Sequence, residues 1–282
     1  MPTLPTQPVV RTVYAAHLQT CLVEAKPFYY HPNSTLNEKF SVKSDYIVPA
    51  GIYPSFNMMA IGNRGSRLTL GPDGTVLTDP VQHLPKHASL YRHIPFIMRE
   101  VENDLSATER SKYRMRVIEK INNVDYAVYY LKVLDKSATE PDIELRSVDG
   151  SNISSVPFIP SQSDLFPEHP PVTSQTAMTV NGDYLASVSY VPFVLGEQDI
   201  YEIIEACRIK FDDTRYAVID EMAICSGIDE LYSVLSAGQT ITYNESMATQ
   251  ISAFYQDYRP LNETTTEINM QIVIGGVEPL LL

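Results

Sequence analysis

Apolar residues along this chain change period often, and those changes divide it into elements. From Val10 to Ala25, the residues Val10, Val13, Tyr14, Leu18, Cys21 and Leu22 recur at three- and four-residue spacing. That is one face of an amphipathic helix ended by Pro27, with a strand as the alternative because Val13 and Tyr14 are β formers. Residues 27–56 carry four prolines and little periodicity, which predicts a loop wrapping a surface. Gly62-Asn-Arg-Gly65 and Gly71-Pro-Asp-Gly74 are turn signatures around short strands at 58–61, 67–70 and 75–78. His83 to His93 is irregular. Ser106-Ala-Thr-Glu109 has the form of a capping box and predicts a short helix over 106–114. Residues 115–134 then alternate on either side of Asn122-Asn123, as a β-hairpin does.

Further on, 135–160 has room for one or two strands. Five prolines between Pro157 and Pro171 mark 157–178 as a linker. Tyr184 to Val194 reads as a strand. In GEQDIYEIIEACRIKF, Ile200, Ile203, Ile204 and Cys207 share one helix face, with Glu197 and Asp199 in the first turn where the helix dipole favours acids. Strands follow at 215–225, 249–260 and 266–274, the last two placed to pair across a loop at 260–265. The fold expected is α+β and mostly β: antiparallel, sandwich-like sheets, a few short helices and long Pro-rich connections. The expected organisation is an extended arm (1–12), an N-terminal β-rich domain (13–156), the linker (157–178) and a C-terminal α+β domain (179–282) with an extended tail.

Composition supports a β-dominated chain. There are 20 Pro and 18 Tyr against 12 Gly and no Trp in 282 residues. Pro favours extended and turn segments, and Tyr suits half-buried strands and wet interfaces. A formal charge of −13 argues against wholesale binding to nucleic acid or anionic lipid, since such binding neutralises phosphates with Lys and Arg. Three cysteines without CxxC spacing argue against a disulfide framework or a zinc knuckle. No apolar leader and no run of 18 apolar residues is expected to direct or span a membrane, so four Asn-x-Ser/Thr sequons carry little meaning.

Each candidate site competes with a plainer reading. His83-x-x-x-His87, near His93, has metal-ligand spacing. Pro85 opposes a helix there and no carboxylate completes the set in sequence, so solvated loop histidines are the expectation. Gly62-x-x-Gly65 with Arg64 and Arg67 resembles a phosphate-cradling turn but lacks a P-loop pattern, so a simple turn is expected. Cys225 at a strand end has no nucleophile-elbow context. Asp212, Asp213, Asp220 and Glu221 fit no calcium loop and read as a solvated loop and strand face. Arg110, Lys112, Arg114 and Arg116 form a basic ladder. Residues 92–120 nevertheless hold seven basic and five acidic residues, a net of only +2, so these arginines are expected to meet carboxylates in this chain or in a neighbour. Residues 195–230 hold ten acidic and three basic residues, a net of −7. That asymmetry suits oriented contact between copies or with a basic neighbour.

RYAVIDEMAICSGIDE, followed by ISAFYQDYRPLNETTTEINMQIVI, resembles the closing part of a baseplate wedge subunit of contractile-tailed bacteriophages. The likeness rests on Tyr255, Arg259 and Pro260 ahead of Thr266, Glu267 and Ile268. The middle of the chain, from AIGNRG to YAVYYLKVL, is similar to a family of tailed-phage virion proteins, and the two likenesses together cover about half the chain. The resemblance implies a mostly β structural subunit and transfers no catalytic residue. The expected function is therefore a non-enzymatic virion component in the tail baseplate, made in the host cytoplasm. A head–tail or neck position is the second choice, and a sugar-binding module or enzyme with a Tyr-rich surface the competing class. Expected partners are other virion proteins and copies of itself, without nucleic acid, membrane, small-molecule substrate, cofactor or metal. The interface residues expected are Arg110, Arg114, Arg116, Tyr255, Arg259 and the apolar tail Leu280, Leu281 and Leu282.

Overall fold

A computed structural model describes residues 9–149, 152–168, 180–236 and 238–281. The expected arm at 1–8, the linker residues 169–178 and Leu282 lie outside the described residues, as do the side chains of Leu280 and Leu281. The protein is α+β and mostly β.

The chain falls into two interleaved units, Met1–Leu134 with Leu195–Ile268, and Asp135–Val194 with Asn269–Leu282. This corrects the expected division into domains 13–156 and 179–282. Non-local strand pairing decides it, because the strands after residue 195 complete the sheet begun before residue 134.

In the first unit the strands are β1 (Val10–Arg11), β2 (Ser55–Gly62), β3 (Ser66–Leu70), β4 (Val76–Pro80), β5 (His93–Ile94), β6 (Ile97–Glu100), β7 (Tyr113–Ile121) and β8 (Val124–Val133). The second unit supplies β9 (Asp142–Asp149), β10 (Asn152–Pro157) and β11 (Val180–Leu195), whose last residue re-enters the first unit. β12 (Val218–Ser236) and β13 (Gln239–Pro260) return to the first unit, and β14 (Ile268–Leu281) closes the second. The helices are α1 (Val13–Val23), α2 (Leu36–Phe40), α3 (Ala107–Arg110), α4 (Gln162–Leu165) and α5 (Glu197–Phe211).

An eight-stranded sheet runs in the order β1-β13-β12-β2-β8-β6, with β5 added to β2 and β7 to β8. All its pairings are antiparallel. Its main core holds Leu36, Met58, Met98, Met115, Leu131, Ile251 and Phe254, all buried. A second core joins α1 to the sheet through Leu18, Cys21, Phe28, Ile228 and Met247. β3 and β4 form a separate two-stranded ribbon.

Several local expectations are corrected. The 27–56 segment is not all loop: Thr35 and Glu38 form a capping box that starts α2. The Ser106 box is present, but its helix ends at Arg110 rather than 114. Tyr113 is already paired with Lys132, and the long β7–β8 ladder wins over another helical turn. Asn122 and Asn123 turn the hairpin with φ of 47° and 69°. The 215–225 and 249–260 strands prove to be two arms of one long hairpin, β12–β13. The 266–274 strand does not pair with 249–260; it joins β11 in the four-stranded sheet β10-β9-β11-β14 of the second unit. Residues 162–165 of the expected linker form α4.

Candidate functional site: buried carboxylates that hold loops and arginines

β12 has register shifts between Ile219 and Glu221, between Ile224 and Cys225 and between Ser226 and Ile228. At the first, Asp220 and Glu221 are both buried, at 4% and 0% exposure. The expectation of solvated acids is overturned, because the irregular backbone lets consecutive side chains leave solvent together.

Asp220 accepts the N–H groups of Gly65 at 2.7 Å and Ser66 at 3.1 Å. Glu221 accepts those of Arg64 at 3.2 Å, Tyr91 at 2.9 Å and Arg92 at 2.9 Å. The Gly62-x-x-Gly65 turn therefore does cradle an anion, but the anion is the chain's own pair of carboxylates. A Cβ on Gly62 would lie 2.6 Å from the Arg92 carbonyl oxygen, and one on Gly65 2.5 Å from that of Asp220. The glycines serve this close approach. Burial and the neighbouring Glu221 raise the Asp220 carboxyl to about 6 against the opposing pull of its two amide donors.

His83 completes the cluster, and it is not a solvated loop histidine. Its Nε2 meets Glu221 Oε2 at 2.9 Å, with both side chains fully excluded from solvent. The ring stacks on Phe254 at 3.8 Å between centroids and on Tyr91 at 4.3 Å. Its Nδ1 lies 3.2 Å from Nδ1 of His87, which also accepts the Leu84 N–H at 3.3 Å. The Leu84 N–H makes His87 Nδ1 an acceptor, so the hydrogen between the two rings belongs to His83 Nδ1. His93 is buried too. Among the described residues, no group of three His, Cys, Asp or Glu side chains is arranged to hold a metal ion.

The arginine ladder has the same character. Arg110, Arg114 and Arg116 are 5%, 4% and 5% exposed. Arg116 meets Asp104 at 2.8 Å, and the Tyr129 hydroxyl donates to the same carboxylate at 2.7 Å. Arg110 donates to the Leu105 carbonyl and, at 3.3 Å, to Tyr129. Arg114 makes a two-pronged contact with Asp229 at 3.0 and 2.8 Å. Between these arginines, Met115 takes a φ of 57°, and the buried Glu245 accepts the Met115 N–H at 2.6 Å and the Arg116 N–H at 3.0 Å. As interface residues these three arginines are redirected: their charge is engaged inside the first unit, and none offers a free phosphate clamp.

The other expected residues lie elsewhere. Tyr255 is half-buried opposite Met222, and Arg259 pairs with Asp257 near the end of β13. All three cysteines are buried and unpaired by disulfides. Cys225 is fully buried, and that burial pushes its thiol up from the usual range. Sequence reading missed Glu202 on the inner face of α5, which grips Arg99 at 2.5 and 2.7 Å, and it missed Glu245. The helical period sets Glu202 off the Ile200–Cys207 stripe, because consecutive residues do not share a face, so spacing alone does not flag it. Nothing local marks Glu245.

Among the described residues, two of the open clefts lie in the first unit. One, of about 410 Å³, is lined by Met98, Arg99, Tyr126, Arg208 and Asp212. The other, of about 800 Å³, lies between Val101–Ala107 and Gln239–Thr242, and Arg110 and Asp104 line it. Of these charges, Arg99 is paired with Glu202, Arg208 with Glu205, and Asp104 with Arg116.

Fold and site together define a mostly β protein in which buried acids act as architecture, fastening loops and strand irregularities. The chain matches, over residues 1–282, the model of a family described as "Family of unknown function (DUF7208)", and it belongs to that family. No curated protein and no solved structure matches it.

Proposed function

We propose that this chain is a non-enzymatic structural subunit of a tailed-phage virion, acting through contacts with neighbouring subunits, and that its place is the tail baseplate wedge. The sequence likeness of its C-terminal part to a wedge subunit supports the position. The single observation that carries the assembly role is the second unit's sheet. Its end strands, β10 and β14, carry no charged residue over Asn152–Pro157 and Ile268–Val277. They display Ile153 at 62% exposure, Val156 at 54%, Val273 at 52% and Val277 at 60%. An uncharged, apolar stretch of end strand invites pairing with another chain; the residues that ordinarily blunt such an edge, Pro157 in β10 and Glu278 and Pro279 in β14, stand only at the far ends of these strands. The edges here suit a protein whose neighbours cover them.

The test is the double substitution V273K/V277K in the intact chain. The fold is expected to survive, because both side chains are exposed. Co-purification with particles and self-association by light scattering are expected to fall. A charged variant that enters particles at the wild-type level overturns the assignment.

A further inference from the structure

We propose that residues 81–93 form an acid-released strap, fastened across β2, β12 and β13 at neutral pH and loosened when His87 and His93 take up protons. Three of the chain's six histidines lie in these thirteen residues.

The fastenings are specific. The Val81 N–H donates to the Gly65 carbonyl at 2.7 Å, and the Gln256 side chain donates to the Val81 carbonyl. His83 is sandwiched on Phe254 and tied to Glu221. The Pro85 carbonyl accepts the Val13 N–H at 2.9 Å, and the Lys86 carbonyl accepts the Tyr14 hydroxyl at 2.8 Å. The strap therefore also holds the start of α1. At its far end, Tyr91 and Arg92 donate to Glu221, and His93 pairs with Gly62.

Two of the histidines have no place for a second proton. His93 is 5% exposed, and its Nε2 accepts the Leu90 N–H at 3.3 Å beside the Ser89 hydroxyl at 3.1 Å. Its proton is therefore on Nδ1, which has no partner. A further proton would have to displace the Leu90 N–H. Phe40 and Tyr130 meet the ring edge-on, and the charges that reach it are those of Lys39 from α2 and of His83. Burial first, then those cations, hold His93 down to about 3.

His87 uses Nδ1 as an acceptor for both His83 and Leu84. Burial, His83 and Lys86 lower it. The remaining charged groups around the strap do not relieve either ring. Glu221 from β12 is engaged by His83 and three amides, and Asp220 beside it by two amides. Arg67 acts on Tyr91, and the Arg92 guanidinium is bound to Asn63.

Both histidines are lowered in the closed strap, so their stabilising contribution is present above about 6.5 and is lost as pH falls through that value toward the closed one. For His93, about 3 closed and about 6.5 open makes any opening that hydrates it about 30-fold more favourable at pH 5.0 than at pH 7.5. Opening would uncover Phe254 and free the anchor of α1.

The experiment is hydrogen exchange on the full chain at pH 7.5 and 5.0, corrected for intrinsic rates, with H87Q and H93Q beside the wild type. Amides of 84–93 are expected to lose protection about 30-fold in acid while those of α5 hold. H93Q should remove most of that loss and H87Q a smaller part. Unchanged protection of 84–93 in acid overturns the proposal, as does full acid sensitivity in H93Q. If H93Q does not fold, the wild-type histidine ring protons decide. His87 and His93 must gain protons in step with the loosening, and a strap that loosens while both stay neutral overturns it.

Discussion

His83 and Glu221, 138 residues apart in the chain, meet at 2.9 Å where neither side chain touches solvent. Glu221 is the hub of this contact. It joins β12 to the turn at Arg64 and to the strap at Tyr91 and Arg92, and removal of its charge strands several donors at once. Breaking a buried pair from one side costs more than replacing both partners. E221Q is therefore expected to destabilise the protein by about 3 kcal/mol in urea denaturation. H83F, which keeps the stack on Phe254, should cost less in the E221Q background than alone. Additive losses in the double-mutant cycle would show that the two residues act independently.

The arginines divide by burial. Arg116 is 5% exposed and shares Asp104 with Tyr129, whereas the Arg208 side chain is 55% exposed beside Glu205. R116M should cost about 3 kcal/mol, because Asp104 keeps its burial and loses its close cation. R208M should stay within about 0.5 kcal/mol, as exposed pairs three residues apart on a helix do. Urea titrations of both variants check the contrast, and equal losses would contradict it.

Asp220 sets a pH dependence of opposite sign to that of the strap histidines. Its folded value is raised to about 6 from 3.8, so the stability it contributes is fully present below about 3.8 and is lost as pH rises through about 6. D220N cannot titrate. Relative to the wild type, D220N should therefore gain about 1 kcal/mol between pH 5 and pH 8, whatever its constant offset. Denaturant midpoints for both proteins at the two pH values measure this difference. A constant difference would mean that Asp220 stays ionised throughout.

Much of the fold was legible because its signals are local. The Ser106–Glu109 box, the Asn122-Asn123 turn and the Ile200–Cys207 face all appear where their residues predict them. The Thr35-Leu-Asn-Glu38 box is equally local, but the prolines around it argue for a loop and compete with that signal. The partner of a strand is a different matter. Alternation in INMQIVI marks two faces without naming a neighbour, and β14 joins β11 rather than β13. Register shifts in β12 hid its length, since Asp220 and Glu221 break the alternation that would have declared them buried. The site was least legible of all. His83 and Glu221 owe their meeting to the tertiary fold, and no spacing in the sequence encodes it.

Gly65 offers the sharpest test of what the Gly62-x-x-Gly65 turn is for. A phosphate cradle would keep its amides open to a ligand. Here the Gly65 amide is held by Asp220 and the Arg64 amide by Glu221. A Cβ at Gly65 would sit 2.5 Å from the Asp220 carbonyl oxygen and 2.7 Å from Glu221 Cβ. Two of the three nearest atoms are backbone, so rotamer changes cannot clear the space and the turn must move away from β12. G65A is expected to cost about 2 to 3 kcal/mol, at the upper end of ordinary overpacking, because the shift also lengthens the bonds to Asp220. Gly74 is the control. It has a φ of +81° and open space around its Cβ position, so G74A carries only the backbone penalty, about 1 kcal/mol. Thermal or urea unfolding ranks the two. A G65A protein as stable as G74A would mean that the turn is looser than its contacts describe, and that its amides are open to an outside anion after all.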